Sequence, residues 1–143
     1  MKMACMIDSG LWISAFNKKD AHHEAGKSII SAISDGLVPN VFITDYIFNE
    51  VVTYIRKKIG YAASVQVADV LLDSNNIRII NVDDSTFISA IHIFQKYEQL
   101  SFTDASIVVI MKNSNLKWLY SFDSGFDGIK DIYRIDTLMD TGL

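Results

Sequence analysis

Short apolar runs alternate with longer amphipathic segments along almost the whole chain. Buried strands are predicted at residues 4–7, 41–43, 77–80, 117–122 and 132–135. Helices are predicted at residues 9–16, 21–34, 45–58, 61–72 and 83–97, with a short helical turn from Ser124. Strands that alternate with helices pair in parallel through right-handed crossovers. The pattern therefore predicts an α/β protein, a three-layer α/β/α sandwich with a central, mainly parallel five-stranded sheet.

Residues 104–112 fit either kind of element, because the run at 107–110 is largely β-branched and has no clear period. The context favours a helix. Ser101 and Asp104 have the spacing of a capping box, and a strand here would come only a few residues before the better strand at 117–122. We therefore predict a helix over residues 104–112.

The composition indicates a single soluble domain over residues 1–143. Half of the residues are hydrophobic, 21% are charged, and there is one proline. No apolar run approaches the roughly 20 residues of a membrane helix, and the N-terminus lacks the pattern of a secretion signal. We expect a cytoplasmic protein without a membrane partner, in which the single Cys5 is a buried thiol.

The formal net charge of −4 argues against a broad basic surface for nucleic acid. It does not exclude an enzyme that acts on nucleic acid. Acidic residues count as negative in this sum, yet with a divalent cation bound they present positive charge to a phosphate.

Four acidic residues lie at positions where α/β proteins build sites. Asp8 and Asp123 each follow a predicted strand, and Asp104 lies at the start of a helix. Glu50 borders the buried face of the helix at 45–58 and has no Lys or Arg three or four residues further on. We expect these side chains to meet in one acidic pocket.

Each acid also has a purely structural interpretation. Asp8 and Asp123 are suited to cap helices, Asp104 to complete a capping box, and Glu50 to lie in solvent; a cap contributes about 0.5–2 kcal/mol. If the four carboxylates do converge, they repel one another, and a divalent cation is the natural neutraliser. Oxygen ligands favour Mg²⁺ or Mn²⁺ over zinc.

Four motifs together resemble those of a known family. They are Ile7-Asp8-Ser9, the helix opening at residues 44–50, Ser101-Phe-Thr-Asp104-Ala and Ser121-Phe-Asp123-x-x-Phe126. In this order, and over essentially the whole chain, they resemble the motifs of PIN-domain ribonucleases. The resemblance is closest to the small single-domain VapC-type toxins of toxin–antitoxin pairs.

The resemblance implies a metal-dependent endoribonuclease that cleaves RNA phosphodiester bonds with a metal-activated water, leaving a 5′-phosphate and a 3′-hydroxyl. It identifies four catalytic acids that bind one or two Mg²⁺ or Mn²⁺ ions: Asp8, Glu50, Asp104 and Asp123. A homodimer and an antitoxin with a segment near the acidic pocket follow by the same analogy.

The resemblance also assigns supporting roles. Ser121 matches a small hydroxyl residue that, with Ser9, would position substrate. Many family members carry a further acid where this chain has Gly125, so either Asp127 joins the metal site or the site rests on four acids.

Other charged residues have alternative interpretations. Lys57 and Arg56 would contact the RNA backbone if they border the pocket, or else form a solvated helix end. His22 and His23 suggest a metal site, but adjacent side chains on a helix point about 100° apart, which favours two surface histidines.

Two other functions are compatible with parts of this sequence pattern. A non-catalytic PIN-like module that binds RNA or protein is the main alternative. A phosphoryl-accepting receiver domain ranks behind it, because that fold expects an acidic pair after the first strand, where Asp8 stands alone.

Overall fold

The computed structural model describes residues 4–138 and contains the predicted parallel sheet. Its strands are β1 (Cys5–Ile7), β2 (Val41–Thr44), β3 (Ile77–Ile80), β4 (Trp118–Tyr120) and β5 (Tyr133–Ile135). They lie in the order β3-β2-β1-β4-β5, and all four neighbouring pairs are parallel. The strand order reverses between β1 and β4, which is where open α/β sheets place ligands.

Within residues 4–138, six helices cover the sheet and complete the three-layer α/β/α sandwich. They are α1 (Ser9–Phe16), α2 (His23–Ser34), α3 (Asp45–Lys58), α4 (Tyr61–Asp73), α5 (Asp84–Lys96) and α6 (Phe102–Asn113). A 3-10 turn at Ser124–Phe126 follows β4, as predicted. Helix α1 packs against α2 and α3, α3 against α4, and α5 against α6. The three central strands β2, β1 and β4 are thereby largely buried, as in other parallel sheets covered on both faces, whereas the edge strands β3 and β5 remain partly exposed.

The ambiguous segment at 104–112 is a helix, and the structure explains its pattern. Ser101 caps α6, and residues 105–111 are all buried. A helix that is buried all round needs no polar stripe, so its sequence shows no clear period.

Five predicted elements were too wide. The strands predicted at 4–7 and 117–122 begin one residue later, at Cys5 and Trp118, and the helix predicted at 83–97 spans Asp84–Lys96. The strand predicted at 117–122 ends at Tyr120, because Ser121 begins a turn in which its hydroxyl accepts a hydrogen bond from the Asp123 backbone. The strand predicted at 132–135 begins one residue later, at Tyr133. The helix predicted from residue 21 begins at His23, after a turn.

The main hydrophobic core lies between the sheet and the helices, and a smaller cluster of Ala90, Ala105 and Val109 lies between α5 and α6. Strand β1 is wholly buried, and burial raises the pKa of the Cys5 thiol to about 12, which keeps it protonated. Trp12 on α1 is fully buried. No helix within residues 4–138 is long and apolar enough to span a membrane.

Helices α1 and α2 approach each other closely through a glycine. A Cβ atom on Gly26 would lie 2.2 Å from the Ser14 hydroxyl and 3.1 Å from the Ala15 backbone nitrogen. The absence of a side chain at this position therefore sets the distance between the two helices.

Candidate active site

Asp8 lies at the carboxyl end of the central strand and caps α1. Its Oδ1 accepts a hydrogen bond of 3.0 Å from the Leu11 backbone nitrogen. Its Oδ2 accepts a short hydrogen bond from the Ser121 hydroxyl. The residue is only 5% exposed, so this carboxylate is fixed in place by two donors in a largely buried setting.

Ser121 links Asp8 to a second acid across the switch point of the sheet. Its buried hydroxyl donates to Asp8 and accepts a hydrogen bond of 3.0 Å from the Asp123 backbone nitrogen. Asp123 in turn caps the 3-10 turn, and its Oδ1 accepts from the Gly125 nitrogen at 2.8 Å. The ends of β1 and β4 are thus joined by one side chain.

Asp104 completes the predicted capping box at the start of α6. The Asp104 nitrogen donates to the Ser101 hydroxyl at 3.1 Å, and the Ser101 nitrogen donates to Asp104 Oδ2 at 3.1 Å. This capping box leaves Oδ1 available for other contacts.

Glu50 is held by hydroxyl groups from two neighbouring helices. Its Oε1 accepts a hydrogen bond of 2.8 Å from Ser9 on α1. Its Oε2 accepts one of 3.0 Å from Thr103 on α6. Glu50 is exposed, but both of its oxygens are oriented by the chain. The contact with Thr103 was not foreseen, because it depends on how α3 and α6 are placed in the fold.

All four predicted acids line one pocket of about 430 Å³. Within the described residues no Lys or Arg lines this pocket, whereas a fifth acid, Asp20, does. Each of the three aspartates caps a helical segment and also lines the pocket, so the structural role of these side chains is compatible with a role in a site.

The electrostatics of the pocket disfavour a full set of charged carboxylates. Burial raises the pKa of Asp8 to about 7, and the negative charges of Asp104 and Asp123 add to this effect. Burial likewise raises the pKa of Asp104, with further contributions from Asp123 and Glu50. The pocket is therefore suited to a positively charged ligand.

The donor set fits a hard divalent cation, since it consists of carboxylate and hydroxyl oxygens. As the side chains stand, no three His, Cys, Asp or Glu groups within residues 4–138 converge closely enough to share one ion. Each carboxylate instead accepts hydrogen bonds from donors of its own. Binding an ion would require one or more of them to rotate toward a common point.

The pocket also contains residues that the sequence analysis did not place beside the four acids. Asp20, His22 and Phe122 line it beside the acids, and the His22 and Phe122 rings stack on each other. Asp20 is a residue type that favours turns, and it forms one here: its Oδ1 accepts a hydrogen bond of 2.8 Å from the His22 nitrogen. The sequence could therefore predict the turn. Nothing in the sequence places that turn against the end of β4.

Asp127 lies apart from the four acids. Its carboxylate accepts two hydrogen bonds from the Arg134 guanidinium, at 2.8 and 3.1 Å, and this contact lowers the pKa of Asp127. Asp127 is absent from the described lining of the acidic pocket. Arg134 also donates to the Ser121 carbonyl at 3.1 Å, so this ion pair supports the turn that carries the site.

The two predicted RNA-backbone contacts are placed differently. Arg56 donates to the Ser64 hydroxyl at 3.1 Å and lies over the Tyr61 ring, so it faces α4. Lys57 lines a depression that also includes Glu50. Of the two cations, Lys57 is therefore nearer to the acidic pocket.

Known proteins resemble this chain in both sequence and structure. Residues 5–132 match the model of the PIN domain. The chain is 30% identical to a VapC ribonuclease of Archaeoglobus fulgidus over 127 residues, which cover 87% of this chain and 80% of that protein. It is 24% identical to the 23S rRNA-specific endonuclease VapC20 of Mycobacterium tuberculosis, over 84% of this chain and 89% of that protein.

The structural neighbours agree with the sequence relatives. The crystal structure of M. tuberculosis VapC20, described as a sarcin–ricin loop cleaving toxin, superposes with a TM-score of 0.77 at 21% identity, covering 89% of this chain and 95% of that one. A toxin–antitoxin complex from Klebsiella pneumoniae superposes at 0.65 and 18% identity, covering 92% and 100%. The chain therefore belongs to the PIN-domain family and, within it, to the VapC ribonucleases.

Proposed function

We propose that this protein is an endoribonuclease that cleaves RNA phosphodiester bonds at the acidic pocket, with Mg²⁺ or Mn²⁺ as cofactor, and that it is the toxin of a toxin–antitoxin pair. The observation that carries the proposal is the meeting of Asp8, Glu50, Asp104 and Asp123 in one pocket whose described lining includes no Lys or Arg. Membership of the VapC ribonucleases supplies the reaction class.

The four acids would hold one or two cations through oxygen atoms alone. PIN-domain nucleases generally depend on divalent metal ions, and the donor chemistry of this pocket is consistent with that requirement. The chemistry that such an ion supplies when bound is a lowered pKa for water and compensation of charge on the scissile phosphate. Cleavage would leave a 5′-phosphate and a 3′-hydroxyl.

The chain's own contribution is to orient these carboxylates before substrate arrives. Ser121 holds Asp8 and the Asp123 backbone in a fixed relation, and Ser9 and Thr103 hold Glu50. Partners of this kind fix the direction in which a ligating oxygen points. We therefore assign Ser9 and Ser121 as positioning residues.

The proposed substrate is RNA. The M. tuberculosis relative is specific for 23S rRNA, and other RNAs remain open for this chain. Lys57, which shares a depression with Glu50, is well placed to contact the phosphate backbone beside the pocket.

The proposed protein partners are an antitoxin and a second copy of the chain. The complex from K. pneumoniae contains a toxin with its antitoxin, which supports an antitoxin partner here. By the family analogy, a segment of that antitoxin would lie near the acidic pocket. Three apolar side chains on α5 are 44–58% exposed, and a homodimer would cover them: Phe87, Ile88 and Phe94.

Cleavage of a mixed structured RNA tests the proposed activity. The protein, purified free of any partner, is assayed with Mn²⁺ or Mg²⁺, with EDTA, and as the Asp104→Asn variant. We expect cleavage only by the metal-loaded wild type. Asp73→Asn is the matched control, because it makes the same chemical change at an exposed position at the end of α4, away from the pocket, and should preserve cleavage. Absence of cleavage by folded, metal-loaded wild type would instead favour a non-catalytic binding module.

A further inference from the structure

A pair of stacked rings forms part of the wall of the acidic pocket. The centroids of His22 and Phe122 lie 4.4 Å apart, and their planes differ by only 11°. Phe122 is half-buried, whereas His22 is exposed, so one face of the imidazole rests on Phe122 and the other faces outward. Both residues line the pocket that contains the four acids.

The backbone of His22 is fixed on both sides. Its nitrogen donates to Asp20 Oδ1 at 2.8 Å, and its carbonyl accepts from the Gly26 nitrogen at 2.9 Å. The next residue is fixed as well, because His23 Nδ1 donates to the Ser14 carbonyl at 2.8 Å. The turn that presents His22 is therefore ordered before any ligand binds.

The His22 ring has no structural task that explains its position. His22 is the N-cap residue of α2, but its side chain makes no capping hydrogen bond. Within residues 4–138 the ring makes neither a hydrogen bond nor an ion pair. The ring instead stacks on Phe122, which directly precedes Asp123 in the chain.

We propose that the outward face of His22, supported by Phe122, is a stacking platform for an unpaired nucleobase of the RNA substrate. The proposal rests on the proposed nuclease function and adds a substrate class to it. Nucleobases stack on aromatic and imidazole planes with little dependence on sequence, and only an unpaired base exposes its face for this.

The electrostatics of the pocket supply a second argument. The described residues that line it provide five carboxylates and no Lys or Arg, so the pocket wall offers RNA no ionic attraction of its own. Stacking is a contact that does not depend on charge. Because Phe122 and Asp123 are adjacent, a base on the platform would place its neighbouring phosphate close to the acids.

The test combines kinetics with a direct signal for stacking. Short single-stranded RNAs that carry 2-aminopurine at successive positions are mixed with protein and Mn²⁺ in a stopped-flow fluorimeter. Stacking of the labelled base on His22 would quench its fluorescence before cleavage. Wild type, His22→Ala and His22→Phe are compared, with His92→Ala, which removes an exposed histidine on α5, as the matched control.

We expect His22→Ala to lose the quenching and to raise KM about tenfold while kcat stays within about twofold. His22→Phe restores both, because it restores an aromatic plane, and His92→Ala behaves as wild type. Equal thermal unfolding of the variants excludes a folding defect.

Two results would overturn the platform while leaving the nuclease intact: wild-type quenching and KM in His22→Ala, or a His22→Phe variant as defective as His22→Ala. A wild-type protein that neither cleaves nor binds these RNAs or the mixed RNA would overturn the proposed function, and the platform with it.

Discussion

The Ser121 hydroxyl donates to the Asp8 carboxylate and accepts from the Asp123 backbone, and so connects the ends of two neighbouring parallel strands. These strands, β1 and β4, flank the point where the strand order reverses. Asp8 is thus oriented by a residue more than a hundred positions away in the chain. A buried carboxylate without such a donor would bear the full cost of desolvation.

Replacing Ser121 with alanine tests this connection. A hydrogen bond to a charged group contributes about 1.5–3 kcal/mol, so Ser121→Ala should lower the free energy of unfolding by that order at pH 8, where Asp8 is charged. The loss should be smaller at pH 5, where folded Asp8 is protonated. Urea unfolding at both pH values measures it, with Ser124→Ala, an exposed serine in the adjacent turn, as control. A pH-independent loss would contradict the role of the Asp8 charge.

The raised pKa of Asp8 predicts how stability depends on pH. Its folded pKa of about 7 exceeds its ordinary value of 3.8, so between these values the folded state binds more protons than the unfolded state. The stability of the metal-free protein should therefore fall from pH 4 to pH 7 and then level off. Asp8 alone accounts for a change on the order of 4 kcal/mol, and Asp104 acts in the same direction.

The Asp8→Asn variant isolates this contribution. Urea unfolding in EDTA should show a much shallower decline between pH 5 and pH 8 than in wild type, and greater stability than wild type at pH 8. Asp83 and Asp127 have lowered pKa values, so they titrate below this pH range. They therefore do not affect the difference in slope between Asp8→Asn and wild type. An unchanged slope in Asp8→Asn would show that other groups produce the decline.

Thr103 is expected to support metal binding through its hydrogen bond to Glu50, without itself contacting the metal. Thr103→Val keeps the shape of the side chain but removes the donor to Oε2. We expect a loss of about 10-fold or more in metal affinity or in cleavage rate, the usual effect of removing such a support. Thr137→Val, an exposed site, is the control. Wild-type cleavage by Thr103→Val would mean that Glu50 needs no fixed orientation.

The close approach of α1 and α2 predicts a stability defect in Gly26→Ala. Alanine favours helices over glycine, but its Cβ would meet the Ala15 nitrogen at 3.1 Å and the Leu11 carbonyl oxygen at 3.3 Å, which are backbone atoms that cannot rotate away. Separating the helices should cost about 1–3 kcal/mol. Thermal unfolding measures this against Ser28→Ala, an exposed position on the same helix. A stabilised Gly26→Ala would contradict the packing.

The sequence predicted the order of elements well because the signals are local. Apolar periodicity, Thr44 as the cap of α3 and the capping box at Ser101 each act within a few residues. The meeting of Asp8 and Asp123 was also predictable, since each follows a strand and the ends of parallel strands meet at one edge of the sheet. The parallel pairing of β1 with β4 is enough to bring these two residues together.

The remaining features of the site depend on contacts between separate elements of the fold. The partner of Glu50 on α6, the stacking of His22 on Phe122 and the pairing of Asp127 with Arg134 follow from how turns and helices are placed in three dimensions. The spacing of residues carries no signal for such contacts. For the same reason the sequence left open whether Asp127 joins the acids.

The central claim is that four carboxylates, each now engaged in its own hydrogen bonds, gather around a divalent cation. Mn²⁺ binding measured by electron paramagnetic resonance tests it most directly. The account predicts that wild type binds one or two ions and that each of four variants weakens binding at least about tenfold, namely Asp8→Asn, Glu50→Gln, Asp104→Asn and Asp123→Asn. Asp73→Asn should bind as wild type does. Wild-type Mn²⁺ affinity in the four pocket variants would contradict the account.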